Sequence, residues 1–129
     1  EKNNNILMHG PTFMANPLAC KVAATSIDLL LSSNWKKNVL RIEKILNTQL
    51  FKCEALEKVK EVRVIGAIGV VELHENVDLP KITKQFLEHG VWVRPFNKLI
   101  YIMPAYIITN DELNILVNAI YSVVSKVEE

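Results

Sequence analysis

The chain has 129 residues, of which 50% are hydrophobic and 22% charged, and its formal net charge is +1. This length and balance fit one domain with a core of its own. The near-neutral charge, without a basic block, argues against a nucleic-acid-binding protein, and no apolar run is long enough for a membrane span.

The first predicted element is an apolar helix from Asn16 to about Leu31. Asn16 is a typical N-cap, and Pro17 occupies the first helical position, where its missing N–H costs nothing. Apolar residues lie on nearly all faces of this helix, which is typical of a helix that is buried or shared with another domain or subunit. Cys20 lies within it and is therefore expected to be packed.

A second helix and a pair of strands follow. The helix is predicted from Trp35 to about Leu56, with one apolar stripe at helical spacing. The stripe consists of Val39, Ile42, Leu46, Leu50, Cys53 and Leu56. From Val59 to Leu73 a run rich in β-branched residues, interrupted by Gly66 and Gly69, predicts two strands joined or bent at the glycines. Glu72 is expected to be a solvated strand carboxylate.

Two further helices are marked by their caps. Asp78 is the predicted N-cap of the third helix, with Pro80 in its first turn and Gly90 at a left-handed C-terminal cap. Thr109 and Glu112 have the spacing of a capping box, which begins the last helix.

The stretch 90–106 predicts two short strands, Val91–Val93 and Leu99–Ile102, around a turn. Pro95 ends the first strand because it cannot donate to a ladder. Arg94 would then stand at the end of an apolar strand, where its planar guanidinium suits a carboxylate. Because most arginine side chains are exposed, the spacing alone favours the other interpretation, a solvated arginine at the sheet edge.

The predicted order is two helices, two strands, a helix, two strands and a helix. Strands that pair through hairpins and are covered by helices make a two-layer α+β domain with a mainly antiparallel sheet. Cys20 and Cys53 stand alone, so we expect reduced thiols in a cytoplasmic protein.

Few constellations point to chemistry. The three histidines are far apart, and no His-x-x-x-His, Cys-x-x-Cys or Gly-x-Ser-x-Gly pattern occurs, so no metal or nucleophile site is predicted. Gly10, Pro11 and Thr12 precede the first helix and form a partial anion-binding loop, with free amides and a hydroxyl near a positive helix end. Tyr101 and Trp92 are interpreted as core or strand-face residues from their pattern alone.

Three segments of the chain carry a more specific pattern: HGPTFMANPLAC from His9, VRVIGAIGVVEL from Val62 and GVWVRPFNKLIYIMPAYIIT from Gly90. Together they resemble the class III pyridoxal phosphate aminotransferases of fold type I, over nearly the whole chain. Pro11 and the run Trp92–Phe96 resemble more narrowly the biotin-pathway members, which use S-adenosylmethionine to convert 8-amino-7-oxononanoate to 7,8-diaminononanoate. One departure is the alanine after Pro104, where the family often has a second proline; this changes loop stiffness but not chemistry.

The resemblance implies a cofactor role for the N-terminal loop. Gly10, Pro11 and Thr12 would reach the phosphate of pyridoxal phosphate in the neighbouring subunit of a homodimer, with Thr12 supplying its hydroxyl. Residues 1–15 would be a loop at the interface with the cofactor domain and the dimer partner, and residues 16–129 the C-terminal small domain of the enzyme.

The resemblance also implies a substrate site. Arg94 would hold the carboxylate of the keto acid, and Phe96 and Tyr101 would line the same pocket. The small-molecule substrates would meet this site together with the large cofactor domain of the same enzyme.

The family's Schiff-base lysine lies upstream of the His-Gly-Pro-Thr-Phe motif and is outside this chain, so no catalytic residue is assigned. Lys98 is interpreted as solvated. The chain alone is therefore expected to be inactive and to hold no pyridoxal phosphate. Two alternatives stay open: another class III ω-amino acid aminotransferase, and a non-enzymatic α+β binding module.

Overall fold

The structure, a computed structural model, describes residue 12 and residues 14–127. Contacts divide the chain into two compact units, residues 1–34 and 35–129. In chain order the elements are α1 (Pro17–Ser32), α2 (Trp35–Gln49), a 3₁₀ helix (Leu50–Ala55), β1 (Val59–Ile65), β2 (Ile68–Leu73), α3 (Leu79–Glu88), β3 (Leu99–Ile102) and α4 (Asn110–Val124). The predicted domain boundary after residue 15 stays a prediction.

Helix α1 belongs to the first unit and begins as predicted. The side chain of Asn16 accepts a hydrogen bond from the backbone N–H of Ala19 at 3.1 Å, and Pro17 occupies the first position. No residue of α1 is buried, and Leu18 is 74% exposed. The expectation that Cys20 is packed is wrong for this chain, because Cys20 is exposed with the rest of the helix.

The apolar stripe predicted from α2 onward is confirmed. Ile42, Leu46, Leu50 and Cys53 are completely buried, although the chain tightens from α-helical to 3₁₀ geometry at Leu50. Burial raises the pKa of the Cys53 thiol to about 11. Cys53 is therefore a packed, protonated side chain in the core.

The three strands form one antiparallel sheet in the order β1–β2–β3, which confirms the α+β prediction. A tight turn joins β1 to β2, where Ile65 pairs with Ile68. Gly66 in this turn has φ +55, a conformation that glycine adopts without steric cost, and its N–H donates to Glu43 Oε1 at 2.8 Å. The middle strand β2 pairs along its other edge with β3, from Gly69 opposite Ile102 to Glu72 opposite Leu99.

One face of the sheet packs against the helices. Gly69 lies on this face, and a Cβ at that position would lie 2.8 Å from Leu50 Cδ2 and 3.3 Å from Leu46 Cδ1. Helices α3 and α4 complete the core. The buried residues that they and the strands contribute are Val59, Val62, Val71, Leu73, Ile82, Phe86, Ile100, Ile102, Leu113, Val117, Ile120, Val123 and Val124.

Helix α3 begins and ends at the predicted caps. Asp78 Oδ1 accepts from the N–H of Lys81 at 3.1 Å. At the other end Gly90 has φ +73, its N–H donates to the carbonyl of Leu87 at 2.9 Å, and the N–H of Val91 donates to the carbonyl of Phe86 at 3.1 Å. This pair of bonds is the Schellman motif, and it turns the chain away from the helix.

The predicted strand Val91–Val93 is wrong, because residues 91–95 form no strand. The N–H of Val91 is already bonded to the end of α3, and Pro95 has no N–H to donate. Pairing with β3 is limited to a single bridge, in which Phe96 and Leu99 exchange two backbone hydrogen bonds of 2.8 Å. The stretch 90–106 therefore contains one strand and an irregular segment.

The face of the sheet opposite the helices carries a cluster of ion pairs centred on Glu72. Its carboxylate accepts from Lys60 Nζ and from Arg63 Nη1, each at 2.7 Å, and Arg63 also pairs with Glu61 at 2.5 Å. The side chain of Glu72 is only 17% exposed, so the expectation of a solvated carboxylate is wrong. Hydrogen bonds from Lys60 and Arg63 lower the pKa of Glu72 to about 2.

We expect Gly69→Ala to destabilise the chain by about 1–3 kcal/mol, because the new methyl group would overlap Leu50. Leu50→Ala should remove that overlap, although it costs about 2–5 kcal/mol through the cavity that it leaves. In a double-mutant cycle measured by urea denaturation, Gly69→Ala should therefore cost less in the Leu50→Ala background than in the native one. Equal costs in both backgrounds would contradict the close approach.

We expect the ion pairs of Glu72 to make stability depend on pH. The folded-state pKa of about 2 lies below the ordinary value of 4.5, so the stabilisation is complete above pH 4.5 and is lost as the pH falls toward about 2. The free energy of unfolding should fall less steeply over this range in Glu72→Gln than in the native chain. Glu75→Gln, in the exposed loop after β2, is the matched control and should keep the native slope.

Candidate functional site

Arg94 lies in the irregular segment between α3 and β3, two residues before the bridge formed by Phe96 and Leu99. Its side chain is exposed and makes no hydrogen bond or ion pair with any residue that the structure describes. The neighbouring residues Val93 and Pro95 are buried, so the backbone on both sides of Arg94 is packed. The guanidinium is therefore a cation with no partner among the described residues, on a packed stretch of backbone.

Arg94 and Tyr101 line the same cleft, which has a volume of about 220 Å³. Tyr101 lies on β3 and is 38% exposed. The other lining residues are mainly apolar: Trp92, Val93, Ile102, Met103, Pro104 and Leu116. A cleft with one permanent cation and otherwise mostly apolar walls suits a ligand that has a carboxylate on an aliphatic chain.

Phe96 lies in a different cleft. Its side chain is 63% exposed, and it lines a space of about 350 Å³ together with Arg63, Glu72 and the turn at Asn97 and Lys98. Within the described part of the chain, Phe96 and Arg94 therefore share no cleft. The role of Phe96 in the substrate pocket stays a prediction.

The turn between Phe96 and β3 is held by contacts that the sequence pattern did not reveal. Asn97 has φ +52, and Lys98 extends its ammonium to the carbonyl of His74, at 2.5 Å. Lys98 is exposed, in agreement with its interpretation as solvated, and its ammonium also makes this one hydrogen bond. No local motif predicts the contact, because His74 lies 24 residues away in the chain.

A second, larger cleft of about 680 Å³ adjoins the first, and the two share Trp92 and Leu116. The segment before α4 forms one of its walls. Arg41 of α2 holds this segment, donating to the carbonyl of Ile108 at 2.5 Å and to Asn110 Oδ1 at 2.6 Å. No sequence motif indicates this role of Arg41, because Ile108 and Asn110 lie 67 and 69 residues away in the chain.

Glu112 lines the larger cleft and completes the predicted capping box of α4. Its carboxylate accepts from the N–H and the hydroxyl of Thr109, both at 2.8 Å. These hydrogen bonds lower the pKa of Glu112 below its ordinary value. The carboxylate is thus committed to the helix terminus, in the larger cleft, which Arg94 does not line.

The predicted cofactor loop falls largely outside the described residues. Gly10 and Pro11 lie in the part that is not described, whereas Thr12 lies in a turn and is exposed. A hydroxyl in such a position is available to a phosphate group. The described residues contain no group of three or more side chains that could hold a metal ion, and none of their helices has the length and apolar character required to cross a membrane.

Comparison with known proteins places these residues in a family. The family described as Aminotransferase class-III matches residues 2–124. The chain is 47% identical over 118 residues to adenosylmethionine-8-amino-7-oxononanoate aminotransferase of Corynebacterium glutamicum, and 50% identical over 121 residues to the enzyme of that name from Buchnera aphidicola subsp. Acyrthosiphon pisum. These alignments cover 92% and 94% of this chain, but only 28% of each relative.

The fold agrees with this assignment. An (S)-enantioselective omega-transaminase from Thermomicrobium roseum superimposes on 98% of this chain, with a TM-score of 0.83 and 26% identity, over 31% of its own length. The chain belongs to the class III aminotransferases.

Proposed function

We propose that this chain is the C-terminal part of an aminotransferase that converts 8-amino-7-oxononanoate to 7,8-diaminononanoate with S-adenosylmethionine as amino donor, in biotin biosynthesis. The two curated relatives described above carry the name of this reaction. The observation that carries the proposal is the unpaired guanidinium of Arg94 in a mainly apolar cleft. The keto acid combines a terminal carboxylate with an aliphatic chain, and this cleft matches both.

Arg94 positions the substrate in this proposal. Its guanidinium donates two parallel hydrogen bonds to the two carboxylate oxygens, which fixes both the location and the orientation of the acid end. The apolar walls then guide the aliphatic chain away from Arg94, and Tyr101 lines the same cleft. Holding the far end of a flexible substrate in this way reduces the freedom that the ketone must lose before it reacts.

Pyridoxal phosphate, when bound in the whole enzyme, supplies the carbonyl that accepts and returns the amino group. Thr12 is the described residue of the proposed cofactor loop, and its exposed turn is compatible with a hydrogen bond to the phosphate. In our proposal Gly10 and Pro11 belong to the same loop, which serves the neighbouring subunit of a homodimer. The lysine that binds the cofactor would lie in the large domain.

Two features support a partner domain. Helix α1 is apolar on nearly all faces and yet has no buried residue, and the chain spans 28% of the length of its two curated relatives. We propose that the large cofactor domain of the same enzyme covers this helix. Cys20 and Cys53 are both free thiols, in keeping with a cytoplasmic enzyme.

A second candidate is a class III aminotransferase that acts on another ω-amino compound. The structural similarity to the omega-transaminase of Thermomicrobium roseum favours it, since that enzyme shares the fold over 98% of this chain. A donor and acceptor screen of the full-length enzyme separates the two. Selective use of S-adenosylmethionine and 8-amino-7-oxononanoate supports the first, and broad use of other amines supports the second.

We expect the isolated 129-residue chain to show no transamination and no absorbance of bound pyridoxal phosphate after dialysis. The full-length polypeptide, purified in the same way, is the control and should show both. Turnover by the rigorously purified chain would contradict the proposal. Tight binding of a small ligand by the chain alone would favour the third candidate, a stand-alone binding module.

We expect Arg94→Ala in the full-length enzyme to lower kcat/KM for the keto acid by roughly 30-fold or more, because loss of a charge-assisted carboxylate contact costs about 2–5 kcal/mol. Arg94→Lys keeps the positive charge but not the planar guanidinium, so its kcat/KM should lie between those of the native enzyme and Arg94→Ala. Use of the amino donor in the first half-reaction should change little. An unchanged dependence on keto acid would show that Arg94 does not bind the carboxylate.

A further inference from the structure

We propose that Lys98 is a positioning residue for the carboxylate site: its ammonium, bound to the carbonyl of His74, fixes the turn that sets Arg94 opposite Tyr101. This inference rests on the role of Arg94 in the proposed function. It concerns a side chain that does not line the cleft of Arg94 and Tyr101. Its effect on that cleft is therefore indirect.

The turn itself is short and conformationally demanding. Phe96 and Leu99 exchange two backbone hydrogen bonds of 2.8 Å, which leaves Asn97 and Lys98 as its two central residues. Asn97 has φ +52, in the left-handed region that asparagine tolerates better than most residues. The bridge is a single pair, so the turn has little ladder to support it.

Three hydrogen bonds tie the two central residues to one segment, formed by the last residue of β2 and the link to α3. The N–H of Leu73 donates to the carbonyl of Lys98 at 2.9 Å, and the N–H of Val77 donates to the carbonyl of Asn97 at 3.1 Å. Lys98 Nζ donates in the opposite direction, to the carbonyl of His74 at 2.5 Å. The side chain of Lys98 therefore adds a third hydrogen bond to the two backbone bonds. We call these three hydrogen bonds the turn anchor.

The turn anchor matters because the segment before the turn is held by few backbone hydrogen bonds. Within the described residues, the backbone N–H groups of Trp92, Val93 and Arg94 donate no hydrogen bond. Burial of Val93 and Pro95 fixes which residues face inward. The position of residues 92–94 along the sheet is therefore set at Phe96, where the backbone N–H again donates a hydrogen bond.

The same turn controls both sides of the cleft. Arg94 lies two residues before Phe96, and Tyr101 lies two residues after Leu99 on β3. A shift of the turn moves one relative to the other, since β3 is held by its pairing with β2 while the segment before Phe96 is not. Lys98 thus acts on the fit of the carboxylate and not on the chemistry of amino transfer.

Direct binding of substrate by Lys98 is the competing explanation. Lys98 lines the cleft of Phe96 and Glu72, whereas Arg94 lines the other one. Its ammonium is already bound to a carbonyl at short distance, which favours the structural role. The two explanations differ in the hydrogen exchange of the residues bonded to the turn, because only the structural role predicts that loss of the ammonium changes it.

The test uses the full-length enzyme with Lys98→Met, which keeps most of the side chain but has no donor. KM for the keto acid should rise about 3- to 10-fold, the effect of one lost hydrogen bond of ordinary to charged strength, with kcat and the KM of the amino donor unchanged. Lys98→Arg should restore most of the loss. Lys84→Met is the matched control, because Lys84 is exposed on α3 and makes no hydrogen bond with a described residue.

Amide hydrogen exchange measures the two backbone hydrogen bonds of the turn anchor directly. In Lys98→Met, exchange of the Leu73 and Val77 amides should become faster, while the amides of β1 keep their native rates. Unchanged exchange, or a KM equal to that of Lys84→Met, overturns the inference. If Arg94→Ala impairs keto acid use and Lys98→Met does not, only the inference fails; if Arg94→Ala also has no effect, the proposed role of Arg94 fails with it.

Discussion

The close approach of α2 and the following 3₁₀ helix to Gly69 is the constraint on which the packing of residues 35–129 depends. Leu46 and Leu50 pack against the middle strand β2 at Gly69, which has no Cβ. A methyl group at this position would overlap Leu50. Because β2 is paired along both edges, this contact fixes the helices against the whole sheet. The opposite face of the sheet carries the ion pairs of Glu72.

The candidate site arises where regular structure ends. The Schellman motif after α3 uses the N–H of Val91, and Pro95 has none, so the segment that carries Arg94 has no free backbone donor at either end, and it forms no strand. Buried neighbours nevertheless hold it in place. Arg94 is thus exposed and charged, has no partner among the described residues, and lies on a packed stretch of backbone. Such an arrangement is well suited to bind a carboxylate.

Several surfaces of this chain are typical of a part of a larger assembly. Helix α1 exposes several leucine side chains, and the curated relatives are more than three times as long as the segment that they share with this chain. Exposed apolar surface of this extent is rarely left uncovered in a complete protein. The chain supplies a carboxylate-binding arginine and a phosphate-facing threonine in our proposal, while the reacting groups come from elsewhere.

The sequence by itself determined the features that depend on near neighbours. Asn16, Asp78 and Thr109 cap the helices as predicted, the stripe through Leu46 and Leu50 is buried, and motifs at both ends of the chain identify the family. Tertiary structure alone decided that Val91–Val93 is not a strand, that Glu72 is paired and largely covered, and that Lys98 reaches His74. The contact of Lys98 with His74 and the pairing of Glu72 with Lys60 join separate segments of the chain, and the missing strand reflects a backbone donor that the end of α3 already uses. Sequence periodicity carries no record of this competition for donors and acceptors.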